Sequence, residues 1–504
     1  MIDPQGTVID PQDPLSRDEV RSRAISGVVL LSLRTFGIRI LGLAGNIVLA
    51  RILVPDDFGA IAIGLSIVGL GSFLADAGIG AALIGRTEPP TRHELAAVSA
   101  LQLTTTTLLL AVAAAICLPL GHIAQLSAVM LASVPIMTLR TPSTLLLERD
   151  LRYRPIVRVE IVDALVFNAW AIGGAAIGWG AWALATGTLV RAVVGSVLML
   201  VLVPAGRVRP RWDMSAVRPL LRFGIGVQAG AIQLLVRDYV LNFTILAIAG
   251  TTVLGLVALA GRILQIPLLV FQSLWQVSYP AVSRIRDSGE DPRNVIQRGS
   301  AMLAAGTAGL LVGLVAASPA LIPSVFGSEW SGAADYMPGA CLALLIGGPI
   351  SATVVGYLLA SGRALAVVRV QVVGTLIWWA VAFSLVSPLG IAGLGIGWAV
   401  SSIAESILLA RLAWKASGAR VLRACGPTML LATAVGAGSW LIARSLPLTV
   451  PSGLLSAAVA AAAFYGALLF VDRPLARSVL ALLRSLPRRR SGVVPTSGTS
   501  EVAP

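Results

Sequence analysis

Along the chain, long apolar runs alternate with short polar breaks, without the two- or four-residue alternation of half-buried soluble elements. A helix of about 20 apolar residues crosses a hydrocarbon core of about 30 Å. Because lipid offers the backbone no hydrogen bonds, such runs are expected to be helical throughout. Runs of this kind lie at 25–54, 58–84, 95–120, 123–147, 156–179, 182–203, 220–249, 253–279, 295–317, 337–360, 365–386, 391–413, 425–443 and 454–471. They predict an all-α integral membrane protein of about 14 transmembrane helices. The first run is the least regular, since Arg34 and Arg39 interrupt it.

The breaks test that count independently. With the N-terminus on the cytoplasmic side, the inner breaks collect arginine: Arg17, Arg21 and Arg23; then Arg149, Arg152, Arg154 and Arg158; then Arg207, Arg209, Arg211, Arg218 and Arg222. The same holds at Arg284, Arg286, Arg293 and Arg298, at Arg411, Lys415, Arg420 and Arg423, and in the tail. The outer breaks hold one basic residue, Arg444. A miscounted helix would invert every later loop and destroy this positive-inside alternation, so both termini are expected in the cytoplasm. The organisation read from the pattern is an N-terminal segment (1–24), six spans (25–204), a cytoplasmic linker (205–219), six more spans (220–414), a final pair (415–471) and a basic tail (472–504) expected to be disordered.

Composition agrees. The 504 residues are 56% hydrophobic and only 12% charged, against about 25% charged in soluble domains, too few to cover a water-facing surface. Mean hydropathy is +0.86. The net charge of +14 is almost wholly arginine, with Lys415 the only lysine. Because those arginines are dispersed between apolar runs, they read as topology signals and anionic-lipid contacts, not as a nucleic-acid surface. Cys117, Cys341 and Cys425 lack any paired spacing, and His93 and His122 are too scattered to form a ligand cluster. No metal, cofactor or disulfide is expected. The polar start does not resemble a signal peptide, so the first run is expected to be a permanent span.

Two junctions look alike. Leu49-Ala50-Arg51-Ile52-Leu53-Val54-Pro55-Asp56-Asp57-Phe58-Gly59 joins the first two runs, and Leu246-Ala247-Ile248-Ala249-Gly250-Thr251-Thr252-Val253-Leu254-Gly255 joins the seventh and eighth. Each is an apolar helix end, a short outer turn, then a bulky apolar residue and glycine. Six spans of separation with the same sidedness suggest a parallel repeat about an axis along the membrane normal. The first junction resembles the LARLLxPxDFG signature of polysaccharide transporters, the Wzx-type lipid-linked oligosaccharide flippases of the MOP superfamily. Phe73-Leu74-Ala75-Asp76-Ala77-Gly78-Ile79-Gly80 resembles their FADLGL segment. Leu254-Gly255-Leu256, Tyr279-Pro280-Ala281-Val282-Ser283-Arg284 and Phe326-Gly327-Ser328-Glu329-Trp330 follow in the same order. The resemblance covers about Ala24 to Arg423, while the last two runs match nothing in the family closely. It implies two pseudo-twofold-related six-helix lobes around a central cavity that opens to each side in turn, plus two C-terminal helices. It also implies a substrate made of a polyprenyl (pyro)phosphate carrying a sugar repeat unit, a bacterial cytoplasmic-membrane location, and glycan polymerase and glycosyltransferases as partners.

Charges within apolar runs cost about 2.5–3.5 kcal/mol each at the bilayer centre on insertion scales, so they face a wet cavity or a partner. Arg39 is central in the first run and Arg237 in the seventh. Superposing Ala50 on Ala247, an offset of 197, places Arg39 on Val236, beside Arg237. Two guanidiniums at equal depth suit bidentate capture of a diphosphate. Asp238 beside Arg237 offers a local partner instead, although neighbouring helical residues point about 100° apart. Arg34 and Arg262 are further substrate-binding candidates, while Arg51 and Arg140 are expected to snorkel to the interface. The acids Asp76, Asp238 and Glu405 are candidates for coupling to H+ or Na+, in the absence of any phosphate-binding loop that would point to ATP. Asp163 is expected beside the interface.

The expected function is thus a flippase for lipid-linked oligosaccharide. A peptidoglycan-precursor exporter carries the same pyrophosphate and remains an alternative. A multidrug exporter would favour aromatic and acidic residues over arginine. A membrane glycosyltransferase or polymerase would need catalytic groups on sizeable outer loops, and the longest, 318–336, is short. The topology is checked by labelling single cysteines introduced after Cys117, Cys341 and Cys425 are replaced. An impermeant thiol reagent should reach Ser328→Cys from outside and not Ser288→Cys, and the reverse pattern would overturn the sidedness.

Overall fold

The computed structural model describes residues 17–86, 88–287 and 291–485, so Ser288, residues 1–16 and the tail beyond Ser485 lie outside it, as do the side chains of Tyr279–Arg284. Among the described residues every regular element is a helix. The order begins α1 (Arg17–Ile52), α2 (Pro55–Asp76), α3 (Ile79–Ile84), α4 (Arg92–Cys117), α5 (His122–Leu131), α6 (Ser133–Thr138), α7 (Thr141–Arg149), α8 (Tyr153–Ala176) and α9 (Ala181–Leu202). It continues with α10 (Met214–Asp287), α11 (Pro292–Phe326), α12 (Ala333–Ile350), α13 (Gly356–Ala360) and α14 (Ala364–Leu389). The chain ends with α15 (Ile391–Ser417), α16 (Val421–Ala443), α17 (Val450–Val471) and α18 (Arg473–Ser485).

Eleven helices among the described residues are long and apolar enough to cross a membrane, or twelve if the pair His122–Thr138 and Thr141–Arg149, bent by 51°, is one span. The expected count of fourteen is larger in two places. α8 carries Arg154, Arg158, Glu160 and Asp163 within its first half. The runs at 220–249 and 253–279 both fall in α10, whose course is broken at Gly250 by a φ of 82°. Only a residue without a β-carbon adopts that angle freely.

The chain separates into two compact units, Met1–Ile263 and Leu264–Pro504. In the second, α11 and α12 form the buried middle, with α15 packed on α12, α14 on α15, and α16 and α17 on α11. Small residues make this possible. Ala304, Ala308, Ala316 and Ala320 of α11 are fully buried, and Gly339 of α12 faces the Gly395 backbone of α15 too closely for a β-carbon. Helices in lipid gain little from burying apolar surface against each other, so close backbone approach supplies the attraction. At the end of the chain, Ala476 and Val479 of α18 are buried.

In the first unit α1 packs on α8, α8 on α9, and α2 on α5, α4 and α9. The first part of α10 runs antiparallel along α2 for its whole length. At one end Asp56 Oδ1 accepts from Thr251 Oγ1 at 2.6 Å and Thr252 Oγ1 at 2.7 Å. A β-carbon on Gly59 would overlap the Thr251 carbonyl, and one on Gly255 would overlap the Pro55 carbonyl. Further along, Asn242 Nδ2 donates to Ser66 Oγ at 3.0 Å. At the other end Gln228 Nε2 donates to the Phe73 carbonyl at 3.2 Å, and the backbones at Gly78 and Gly224 touch. The Asp57 carboxylate turns the other way and accepts the amide of Ala181, the first residue of α9, at 3.1 Å; a carboxylate there meets the positive end of a helix dipole. Outside the spans, His93 Nε2 and Asp213 Oδ2 lie 2.6 Å apart, joining α4 to the start of α10. The Ser215 hydroxyl first, and then His93, hold the Asp213 carboxyl far below the usual carboxylate range.

Gly59 and Gly255 are therefore contact points. Adding a methyl at Gly59 or Gly255 should cost about 1–3 kcal/mol by overpacking and lower the thermal unfolding temperature of the purified protein in detergent. Gly438→Ala, where a β-carbon meets open space, should leave it unchanged. Equal melting of all three variants would mean that the seam is not closely packed.

Candidate functional site

α8 presents Glu160 and Asp163 three residues apart, about 60° from each other around the helix and therefore on one face. Each meets a guanidinium from a different helix. Arg34 Nη1 of α1 lies 2.8 Å from Glu160 Oε2. Arg140 Nη1, between α6 and α7, donates to Asp163 Oδ2 at 2.8 Å, with both side chains about 15% exposed. Gly195 of α9 makes the space, since a β-carbon there would overlap both partners. Asn168, one turn further along α8, places its Oδ1 against Gly45 of α1. Arg191 of α9 lies over the Phe167 ring, 5.3 Å from its centroid, and is within electrostatic reach of Asp163 and Arg140.

Beside this network is a cavity of about 310 Å³ formed by the end of α2 with α3, α4, α6 and α7. Asp76, Glu148, Gln102 and Arg140 line it, together with the hydroxyls of Thr138, Thr141 and Thr144. Asp76 is the last residue of α2; the chain then reverses through Ala77 and Gly78, both at positive φ. That turn leaves the carboxylate at the mouth of the cavity, where Gln228 Nε2 of α10 donates to its Oδ2 at 3.3 Å.

The remaining sequence candidates fall into four situations. Arg262 donates to Asn46 Oδ1 of α1 and lies 4.9 Å from the Phe58 ring centroid, so the guanidinium expected to meet substrate is engaged between α1, α2 and α10. Arg237 Nε donates to Asp238 Oδ1 at 2.8 Å, with the two side chains 31% and 55% exposed. The 100° separation that counts against such a pair is bridged by the length of the arginine. Arg39, half-buried on α1, is placed at a depth comparable with Arg237 only by the repeat. Glu405, in the second unit, is packed over Gly374 of α14, where Ser401 Oγ donates to the Gly374 carbonyl at 2.8 Å.

Sequence reasoning missed Glu160 and Glu148 and placed Arg140 at the interface as a snorkelling side chain. Arg140 bonds Asp163 in the interior instead, because a break between α6 and α7 points it inward. The available signal was the Glu160–Asp163 spacing within an apolar run, which announces a charged face that must find cations.

Residues 48–335 match the family described as "Polysaccharide biosynthesis protein". The lipopolysaccharide biosynthesis protein WzxC of Escherichia coli (strain K12) is 25% identical over 354 residues, covering 66% of this chain and 69% of its own. The succinoglycan biosynthesis transport protein ExoT of Rhizobium meliloti (strain 1021) is 25% identical over 368 residues, 71% of each chain. Among solved structures, lipid II flippase MurJ in an inward closed conformation superposes with a TM-score of 0.63 at 15% identity, covering 88% of this chain and 100% of that one. An inward-facing multidrug resistance MATE transporter of the MOP superfamily gives 0.56 at 15% identity, covering 78% and 99%. At that identity the two structures show a shared fold and nothing of substrate.

Removing one partner of a buried ion pair strands the other charge at a cost of about 3–5 kcal/mol, while replacing both by apolar groups is often neutral. Arg140→Ala or Asp163→Ala alone should therefore sharply lower the thermal unfolding temperature in detergent. The double variant Arg140→Met/Asp163→Leu should recover most of the loss. Single variants as stable as the parent would show that the pair carries no such charge balance.

Proposed function

The chain belongs to the polysaccharide biosynthesis protein family, and on that premise we propose that it moves polyprenyl-(pyro)phosphate-linked oligosaccharide from the inner to the outer leaflet for surface polysaccharide synthesis. The observation that carries this reading is the family match over residues 48–335, supported by relatives named for lipopolysaccharide biosynthesis and succinoglycan transport. It is a multi-pass membrane protein. The finer arrangement we propose has fourteen spans, with α8 included and α10 divided at Gly250, two six-helix lobes working by alternating access, and both termini in the cytoplasm of a bacterial cell. The arginine-rich inner breaks support that sidedness. Glycan polymerase and glycosyltransferases would supply and consume such a substrate.

For the headgroup we assign Arg39 and Arg237. A diphosphate brings about two to three negative charges into an interior where unpaired charge is prohibitive, and guanidinium pairs with phosphate bidentately. The Asp238 carboxylate on Arg237 gives this contact a way to let go. A pair of side chains exposed by 31% and 55% is held weakly, so phosphate and Asp238 can exchange on the guanidinium at little cost. Arg34 and Arg262 are occupied by Glu160, and by Asn46 and Phe58, which supports a positioning role for both. Net transport would draw on an H+ or Na+ gradient, with Asp76, Asp238 and Glu405 as the candidate groups. Export of a peptidoglycan precursor, whose headgroup carries the same pyrophosphate, is the second reading.

The test uses vesicles containing the purified protein and a polyprenyl-diphosphate-linked fluorescent oligosaccharide whose exposure is read by an impermeant quencher. Flipping should fall at least tenfold in Arg39→Ala and in Arg237→Ala, and lysine at either site should restore part of it, since charge survives and the fork does not. Full transport by the double alanine variant at normal protein level would remove these arginines from the site. Flipping of a peptidoglycan precursor in preference to the oligosaccharide would overturn the substrate.

A further inference from the structure

Between α11, α12, α15 and α16 of the second unit lies an apolar crevice of about 310 Å³. Leu311 and Val312 of α11 and Cys341 and Leu345 of α12 are its buried lining. Ile396, Val400 and Ile403, a single stripe of α15 at spacings of four and three, line it too and remain more than a third exposed, so the crevice opens to the outside of the unit. α16 contributes Thr433 and Ala437. The Thr433 hydroxyl is spent on its own helix, donating to the Met429 carbonyl at 2.7 Å. Apart from the Cys341 thiol, the rest of the lining is hydrocarbon and backbone. Water gains nothing in such a space; in a bilayer, a lipid chain fills it.

Two of the lining helices lead from the crevice to one ion pair. On α16, Thr433, Ala437, Trp440 and Arg444 follow at spacings of four, three and four, so they share a face, and Arg444 stands about 10 Å beyond Ala437. On α12, Asp335 shares a face with the lining residues Pro338 and Leu342 and stands about 10 Å before Leu342. Arg444 Nη2 donates to Asp335 Oδ1 at 3.1 Å, with both side chains about half exposed. The guanidinium also lies over the Trp440 ring, 4.4 Å from its centroid. A fixed positive and negative charge thus stand together about two helical turns past the hydrocarbon lining.

We propose that the crevice and this pair form a binding site for one zwitterionic aminophospholipid, with an acyl chain in the crevice, its phosphate on Arg444 and its ammonium on Asp335. A phosphoethanolamine headgroup carries a negative and a positive charge a few bonds apart, so each meets its opposite on the arginine and the aspartate. A primary ammonium also donates hydrogen bonds, which a carboxylate accepts. An anionic headgroup fits less well. The breaks on this side of the unit, 318–336, 387–390 and 444–453, carry Arg444 against Glu329 and Asp335, and a lipid without an ammonium would add negative charge where acids already outnumber the base. A polyprenyl diphosphate would add still more. Bound in this way, the phospholipid bridges α12 and α16, each of which packs more extensively on α11 than on the other. The site is independent of what the protein transports.

The experiment adds phosphatidylethanolamine, phosphatidylcholine or phosphatidylglycerol with the same acyl chains, or a polyprenyl diphosphate, to the delipidated full-length protein in detergent. Bound lipid is counted by native mass spectrometry, and the unfolding temperature is followed in parallel. Phosphatidylethanolamine should bind at least tenfold more tightly than phosphatidylglycerol. It should bind several-fold more tightly than phosphatidylcholine, whose quaternary ammonium donates no hydrogen bond. It should also raise the unfolding temperature, as a ligand of the folded state does. Asp335→Asn should erase both preferences, and Arg444→Gln should weaken phosphatidylethanolamine at least tenfold. Ala437→Phe, which fills the crevice, should weaken it as much, whereas Leu430→Phe, at an exposed position of α16 outside the lining, should not. Without added lipid each variant should melt as the parent does. Tighter binding of phosphatidylglycerol or of the polyprenyl diphosphate by the parent would overturn the assignment. So would phosphatidylethanolamine binding that neither Asp335→Asn nor Ala437→Phe changes, or the absence of retained phospholipid.

Discussion

The antiparallel contact between α2 and the first part of α10 sets the geometry of everything else in the first unit. In lipid, two helices gain almost nothing by hiding apolar side chains from one another, so attraction has to come from backbones close enough for dispersion and from polar groups with nowhere else to bond. Both are present. Glycines meet carbonyls at each end of the seam, and Asp56 and Gln228 spend their hydrogen bonds across it. With α2 fixed in this way, its neighbouring acid Asp57 can hold the start of α9, and its last residue can deliver a carboxylate to the cavity between α4 and α7.

A second constraint is the balance of charge inside an apolar slab. Glu160 and Asp163 occupy a helix that would otherwise read as an ordinary span, and each is tolerable because an arginine from another helix reaches it at 2.8 Å. The pairs lie side by side, so α1, α8 and the α6–α7 bend cannot shift independently without separating opposite charges. Arg262, wedged between Asn46 and Phe58, ties the later part of α10 to α1 and α2 in a related way. Arg237 and Asp238 differ: they are more exposed and adjacent on one helix, so their contact contributes little.

Much of the fold was legible because membrane insertion is written in run length and in the sidedness of arginine, and both are local properties. The junction around Pro55–Gly59 was legible as a motif, and its physical meaning appears in the structure as three contacts made by Asp56, Asp57 and Gly59. The expected number of spans departed from the observed helices where locality fails, at α8 with its charges and at the merged α10. The site was harder to read. Arg140 and Asp163 are 23 residues apart, and Arg34 and Glu160 lie on helices separated by several others, so periodicity could give the face of each helix without saying which helix faces it. Glu148 was missed because it sits at the end of a bent pair, where a sequence reader sees the polar edge of a loop.

The seam also has a consequence for how the protein is made. Thr251 follows Asp56 by 195 residues, and at synthesis rates of about 5–20 residues per second that interval is about 10–40 s. For that time α2 has been handed to the membrane with two adjacent acids and a glycine edge shaped for a helix that does not yet exist. Asp57 meets the amide of Ala181 when α9 arrives, while Asp56, exposed at the turn, keeps water until the hydroxyls of Thr251 and Thr252 replace it. Until then the glycine edge of α2 has lipid against it in place of a helix backbone, and a slow stretch of translation before α10 would lengthen that interval.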